Sequence, residues 1–200
     1  MKSLIAKNVK WFILIFIASC VVWFSVFSYL NKPKDYERLQ VFITADLVEN
    51  DAIKEKCNKD NLFKDVLIYS CGEEDTYYTT MLETSGIISS DILIVNETLV
   101  KTKGATTSFI ELDQSYLNKY NIDLSKYELT YVDDKAYGIV IYDNAKNINL
   151  IDKISYNDSN KNNRYCICLN NISYHIDKYS IQKDKTTDYA FKVLYSLLNK

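Results

Sequence analysis

The stretch YVDDKAYGIVIYD, Tyr131 to Asp143, decides how the chain is read. Two apolar runs flank a short charged turn. That pattern predicts a β-hairpin with a three-residue connection, Asp133-Asp134-Lys135. Gly138 interrupts the second run. The chain has only four glycines, and a glycine in a strand has no side chain to pack. The stretch is therefore either an ordinary core hairpin or a backbone that something approaches closely.

Upstream, LQVFITA (Leu39 to Ala45), DVLIYSC (Asp65 to Cys71) and SDILIVNE (Ser90 to Glu97) are continuous apolar runs of strand length. DLVENDAIKEKCNKD lies between the first two, with Ala52, Ile53 and Cys57 spaced for a helix face. EEDTYYTTMLETSG lies between the second and third. Its acids suit a helix start, and Gly86 sits where a helix-ending glycine belongs. Strands of this kind alternating with helices predict parallel pairing with both faces covered. Downstream, a short helix is expected over Gln114 to Tyr120, with an extended pair at FIELD before it. NINLIDKISY is expected to add an edge strand, and NDSNKNNR a polar loop. YCICL (Tyr165 to Leu169) reads as another buried strand with NNISYHI pairing beside it. In TTDYAFKVLYSLLNK, residues Ala190, Val193, Leu194, Leu197 and Leu198 share one helical face. The fold class is α/β: a mixed, mainly parallel sheet with helices on both faces.

The amino terminus is different. MKSLIAKNVK, residues 1–10, carries lysines and no acid, and Trp11 to Leu30 runs for 20 residues without a charge. As a helix rising ~1.5 Å per residue, that run spans ~30 Å, a bilayer's hydrocarbon thickness. Residues 1–10 are expected to be a cytoplasmic tail, 11–30 a single transmembrane anchor, 31–38 a linker, and 39–200 an extracytoplasmic domain. A cleaved signal peptide fits less well, since its apolar region is shorter and ends in a small-x-small site. The alternative is a lipoprotein anchored at Cys20, because Ile17-Ala18-Ser19-Cys20 resembles a lipobox.

Charge and chemistry exclude several classes. The first 38 residues hold six of the 24 Lys/Arg and two of the 26 Asp/Glu, leaving 18 and 24, a net charge of −6 over the rest. An acidic domain is a poor partner for nucleic acid. There is no phosphate-binding glycine motif, no G-x-S-x-G and no H-E-x-x-H. His175 is the one histidine and reads as structural. Asp133-Asp134 reads as a turn former, and Glu73-Glu74-Asp75 as a helix-start cluster. The five cysteines give no disulfide framework. Cys57 and Cys71 lie at opposite ends of a helix-strand unit, while Cys166 and Cys168 face the same way on one strand at the limit of bridging distance. They read as small buried apolar residues, and no metal, cofactor or catalytic residue is assigned.

The order of elements resembles one lobe of the bacterial extracellular solute-binding proteins of ABC transporters, with the type II periplasmic-binding fold. The resemblance rests on Gly86-Ile87-Ile88-Ser89-Ser90-Asp91-Ile92-Leu93-Ile94-Val95, on FIELD (Phe109 to Asp113), on Asp134-Lys135-Ala136-Tyr137-Gly138-Ile139-Val140, and on the terminal helix. Departures are Asp133 or Asp134 where the family turn has glycine, and Val140 where it has proline. Only 22 residues separate Asp143 from Cys166, short of the ~50 that a second lobe needs. The resemblance implies a non-catalytic, membrane-anchored binding module. Its partner is a small solute, weakly bound, or a transporter or other envelope protein. The alternative is a structural or assembly protein of the envelope with no small ligand. Ligands of parallel sheets sit beyond the carboxyl ends of the strands, which nominates Thr44, Asp46, Ser70, Glu73, Asn96, Glu97 and Tyr137 as ligand-binding.

Overall fold

The computed structural model describes residues 2–102, 105–156, 163–177, 181 and 186–199, in two units, Met1–Lys34 and Asp35–Lys200. The first unit is one helix, α1 (Lys2–Asn31). It runs back through the basic tail as well as along the apolar segment. Its stretch Asn8–Asn31 has a mean hydropathy of 2.3 and is long and apolar enough to cross a membrane. The polar side chains at its carboxyl end turn inward. Ser25 donates to the Val21 carbonyl (2.8 Å) and Asn31 to that of Phe27 (2.9 Å), so neither needs water. Both tryptophans of the chain, Trp11 and Trp23, are on this helix and exposed.

In the second unit the elements follow in chain order. They are β1 (Arg38–Thr44), β2 (Leu47–Val48), α2 (Asn50–Cys57), β3 (Asp65–Cys71), α3 (Tyr78–Met81, continued by a π-helical turn Leu82–Ile87), β4 (Ile92–Asn96) and α4 (Glu97–Thr102). Then come α5 (Ala105–Ser108), α6 (Gln114–Leu117, continued by a 3-10 turn Asn118–Tyr120), β5 (Leu129–Val132), β6 (Lys135–Asp143), β7 (Ile148–Asn149), β8 (Ile154–Ser155), β9 (Arg164–Leu169) and α7 (Tyr189–Leu198). The main sheet has the order β3-β1-β4-β9-β6-β5, with β7 beside β6. β1 is parallel to both β3 and β4, while β4-β9, β9-β6 and β6-β5 are antiparallel. The sheet is mixed, and β1, β3, β4 and β6 share one direction.

Side chains alternate between two cores. Leu39, Val41 and Ile43 of β1, with Ile92 and Ile94 of β4, meet Ile53 and Cys57 of α2 and the apolar stripe of α7. On the other face Phe42, Leu93 and Val95 meet Leu82, Val100, Cys166 and Cys168. Helices therefore cover both faces, and the central strands β1 and β4 are buried along most of their length, whereas β3 at the edge is only half buried. Full burial of each large side chain contributes roughly 1.5–3 kcal/mol.

Several local expectations change. Residues 72–77 are turns rather than a helix start, and Asp75 caps one by accepting the Tyr77 N–H at 2.9 Å. Gly86 does not end a helix. It lies inside the π-helical turn, where a Cβ would stand 3.2 Å from the Phe42 ring; the glycine lets the helix lie close on β1. FIELD forms a single bridge, Phe109 to Asn170, not a strand pair. NINLIDKISY gives only β7 and β8, and β8 pairs with β2 outside the main sheet. The segment after β9 is turns, not a strand. It is tied down through Asp91, whose buried carboxylate accepts the Gln40 N–H (2.7 Å) and the Ser173 hydroxyl (2.5 Å). His175 is fully buried and donates from Nε2 to the Arg38 carbonyl (2.9 Å), with Thr187 on Nδ1 (3.0 Å). It is a structural histidine. The loop NDSNKNNR lies almost entirely outside the described residues, and Gly104 does too.

The hairpin at Asp133 is tighter than expected. Its connection is the two residues Asp133 and Asp134, with φ of 50° and 61°. Two left-handed residues match the twist of the flanking strands, and Asp tolerates the region better than most. Pairing runs Thr130 to Gly138 and then Tyr131 to Ala136, so Tyr137 is the extra residue of a β-bulge. The bulge puts Tyr137 and Gly138 on the same face. A Cβ at Gly138 would lie 3.1 Å from Cys166 Cβ and from both cysteine sulfurs. The odd glycine therefore makes room for the Cys166-Cys168 pair, whose sulfurs are 3.8 Å apart.

Candidate functional site

The register of the sheet decides which side chains meet. Thr44 and Cys71 are partners at the ends of β1 and β3, and Ile43 partners Ile94, two residues from the end of β4. β9 runs the other way, so its second residue, Tyr165, faces Asn96. The chain just after three strand ends and the start of a fourth thus share one edge. The Thr44 and Tyr78 hydroxyls are 3.2 Å apart. The Asp46 carboxylate lies so close over Gly72 that a Cβ there would be 2.9 Å from its Oδ1. Asn96 accepts the Thr98 N–H at 3.0 Å and the Thr98 hydroxyl through its oxygen, which leaves its amide NH2 for Glu73 and Tyr165.

This edge is negative and has no counter-charge among the described residues. Neither Asp46 nor Glu73 is ion-paired to a lysine or arginine among the described residues. Partial burial raises the Glu73 carboxyl above its usual range, the Asn96 amide offsets part of that, and the Asp46 charge adds to it. Burial also raises the Tyr78 phenol, offset in part by Thr44 and reinforced by Glu73. Tyr165 is pushed up by burial first, then by Glu73, Tyr78 and Asp46. Behind it is an aromatic stack, with Tyr165 on Tyr156 at 4.4 Å and Tyr156 on Tyr142 at 4.5 Å between ring centres. The Tyr156 hydroxyl is buried without a hydrogen-bond partner among the described residues.

The structure therefore brings together Thr44, Asp46, Glu73 and Asn96, and adds Tyr78 and Tyr165. Three nominated residues go elsewhere. Ser70 is exposed on β3, an edge strand. Tyr137 is buried in the second core beside the cysteine pair. Glu97 joins an ion-pair network instead. Arg164 contacts Glu97 (3.2 Å), Asp143 (3.0 Å) and Glu128, while Lys101 holds Glu97 (3.1 Å) and Lys146 holds Glu128 (2.6 Å). Tyr165 was invisible as a site residue because its placement needs the antiparallel insertion of β9. Tyr78 was hidden by the expectation of a helix from Glu73. Among the described residues no group of three or more His, Cys, Asp or Glu is placed to hold a metal.

No family model matches the chain, and no curated protein matches it. Among solved structures, part of the chain is similar to an ABC substrate-binding protein from Listeria monocytogenes in complex with cycloalternan. The TM-score is 0.40 at 16% identity, over 52% of this chain and 29% of that one. A candidate spermidine/putrescine ABC transporter protein of the same organism follows, with a TM-score of 0.37 at 20% identity over 53% and 32%. The maltose-binding protein MalE, again from Listeria monocytogenes and in complex with maltose, has 0.34 at 21% over 52% and 27%. The chain thus spans about a third or less of the length of these structures.

Proposed function

We propose that the domain is a non-catalytic binding module for a small solute bearing a protonated amine, captured at the carboxyl edge of β1, β3 and β4. The observation that carries the reading is the pairing of Asp46 with Glu73, without a basic partner, beside the Tyr78 and Tyr165 phenols. An ammonium would relieve the carboxylate repulsion, and the aromatic rims and the Asn96 and Thr44 groups would orient it. The edge is open, so little of the ligand is desolvated and binding is weak. The reading includes anchorage by residues 11–30, an amino terminus in the cytoplasm and residues 39–200 outside. It agrees with the solute-binding architecture that the sequence resembles.

The test is a thermal shift of the intact chain in neutral detergent, with small amines compared against sugars, amino acids and peptides. Amines should raise the melting temperature as their concentration passes the dissociation constant, and Glu73→Gln should abolish the shift. No shift at millimolar amine, or an equal shift in the variant, sinks the reading. Topology is checked by protease on whole cells, with digestion of residues 39–200 expected from outside. A second reading, an envelope assembly surface, draws on Leu47 and Tyr77, which are 65% and 69% exposed near the same edge. A crosslinked envelope partner combined with no amine shift would favour it.

A further inference from the structure

The face built by α2, α7 and the turn after α6 carries charge of the opposite sign. A hollow of about 430 Å3 is lined there by Lys59, Lys119 and Lys192, together with Asn121, Tyr195 and Asp60. An adjoining hollow of about 360 Å3 adds Lys56. Six other lysines of this domain, Lys64, Lys101, Lys126, Lys135, Lys146 and Lys153, are ion-paired, while Lys54, exposed on α2 outside both hollows, has no ion pair among the described residues. Lys56, Lys59, Lys119 and Lys192 have no ion pair among the described residues. Shortage of acid does not explain this, because residues 39–200 carry a net charge of −6. Asp188 feels the Lys119 charge, but its carboxylate is engaged by the Tyr120 hydroxyl (2.6 Å) and the Asp177 N–H (2.9 Å).

Two of the ammoniums are braced without being neutralised. Lys119 Nζ lies 4.7 Å from the centre of the Tyr116 ring, and Lys192 Nζ 5.5 Å from that of Tyr189. Both rings contribute attraction while leaving the charge in place. Asn121 is held in the left-handed region, φ 58°, at the end of its 3-10 turn. Like charges gathered round one concavity repel each other, and a bound anion removes that repulsion. The volume falls in the ~300–1,000 Å3 range of small-molecule sites.

We propose that this hollow binds a phosphate-bearing ligand of about the size of glycerol phosphate. Phosphate offers several acceptor oxygens, with close to two negative charges in a monoester and one in a diester headgroup, and so matches several three-donor ammoniums better than a single carboxylate does. The phosphate is carried either by a soluble phosphomonoester or by a lipid headgroup. The site is separate from the acidic edge. α2 runs away from the carboxyl ends of β1 and β3, and Lys59 lies two residues past its last residue, Cys57.

The experiment titrates the intact chain, in neutral detergent, with glycerol 3-phosphate, short-chain phosphatidylglycerol and glycerol, followed by calorimetry. Saturable binding of glycerol 3-phosphate, absent with glycerol, is expected. It should weaken about tenfold or more in Lys119→Glu/Lys192→Glu, weaken at high salt, and strengthen as the pH rises through ~6, where the second phosphate proton leaves. Lysine-dependent binding of phosphatidylglycerol alone, with no response to the soluble ester, supports the site and assigns it to a headgroup. Both altered lysines are exposed, so an unchanged far-ultraviolet dichroism spectrum serves as the folding control. No saturable binding of either phosphate, or unchanged binding in the variant, overturns the proposal. Crosslinking of these lysines to a protein carboxylate in membranes, without phosphate binding, overturns it in favour of a protein partner. Amine binding at Glu73 is read separately, so the two sites fail independently.

Discussion

Arg164 and Tyr165 are adjacent in sequence, yet they open onto two different chemical settings. Arg164 faces Glu97, Glu128 and Asp143, with Lys101 and Lys146 completing the balance. Tyr165 faces Asp46 and Glu73, which have hydroxyls and an amide but no cation beside them among the described residues. Both settings are rich in carboxylates. The first is neutralised from within and so serves the fold, pinning β4, β5, β6 and β9 at one end. The second is left unbalanced at an open edge, and that imbalance is available to a ligand. Compensation, rather than charge density, separates a structural cluster from a candidate site.

The most damaging way to break that contrast is Arg164→Met. The Asp143 side chain is only 2% exposed, and removing its cation leaves a buried charge unpaired. A loss of about 3 kcal/mol in urea unfolding is expected, and a loss under about 1 kcal/mol would mean that the network is not structural. Gly138→Val comes next, with about 2 kcal/mol of overpacking against the cysteine pair and amine binding intact. Loss of binding in a fully stable variant would move the site to the hairpin. Tyr156→Phe should stabilise by about 1 kcal/mol, because it deletes a buried hydroxyl that has no partner among the described residues; destabilisation would reveal a bound water.

The smallest effect sharpens the contrast most. Glu73 has its pKa raised in the folded state by burial and by Asp46, so its ionisation opposes folding above that pKa. Glu73→Gln should therefore gain a little stability at pH 7. The gain should vanish as pH falls through and below about 4.5, the ordinary value, where wild type is protonated too. A gain that persists into acid would mean that the carboxylates do not repel. The same substitution at Glu128, whose pKa is lowered by Lys146 and Arg164, should act in the opposite sense and destabilise at pH 7.

What could be read from sequence follows from locality. β1, β4 and β9 begin and end within about two residues of their apolar runs, because a strand buried on both faces needs an unbroken run, and β3 does so too although it is a half-buried edge strand. The stripe of α7 was equally plain, for its spacing is set within one helix. The insertion of β9 between β4 and β6 depends on contacts some 70 residues apart in sequence, such as the Cys166 thiol near the Val95 carbonyl, and no local pattern encodes that. Thr44, Asp46, Glu73 and Asn96 lie together at one edge, as expected, because strand ends gather them. Tyr137 was lost because a bulge turned it inward, and Glu97 because a distant arginine claimed it. Gly86 was misread because a π-helical turn and a helix cap use glycine for different reasons.

The placement of the two tryptophans has a practical consequence. Trp11 and Trp23 both sit on α1, and the folded domain has tyrosines but no tryptophan. The two units therefore carry separate intrinsic fluorophores. Emission excited selectively in the indoles follows the helix and its surroundings. Phenol emission follows chiefly the domain and its Tyr142-Tyr156-Tyr165 stack, since 16 of the 17 tyrosines lie there and only Tyr29 is on α1. Unfolding of the domain and a change in the surroundings of the helix can thus be followed in one unlabelled sample, the helix through indole emission and the domain chiefly through its phenols.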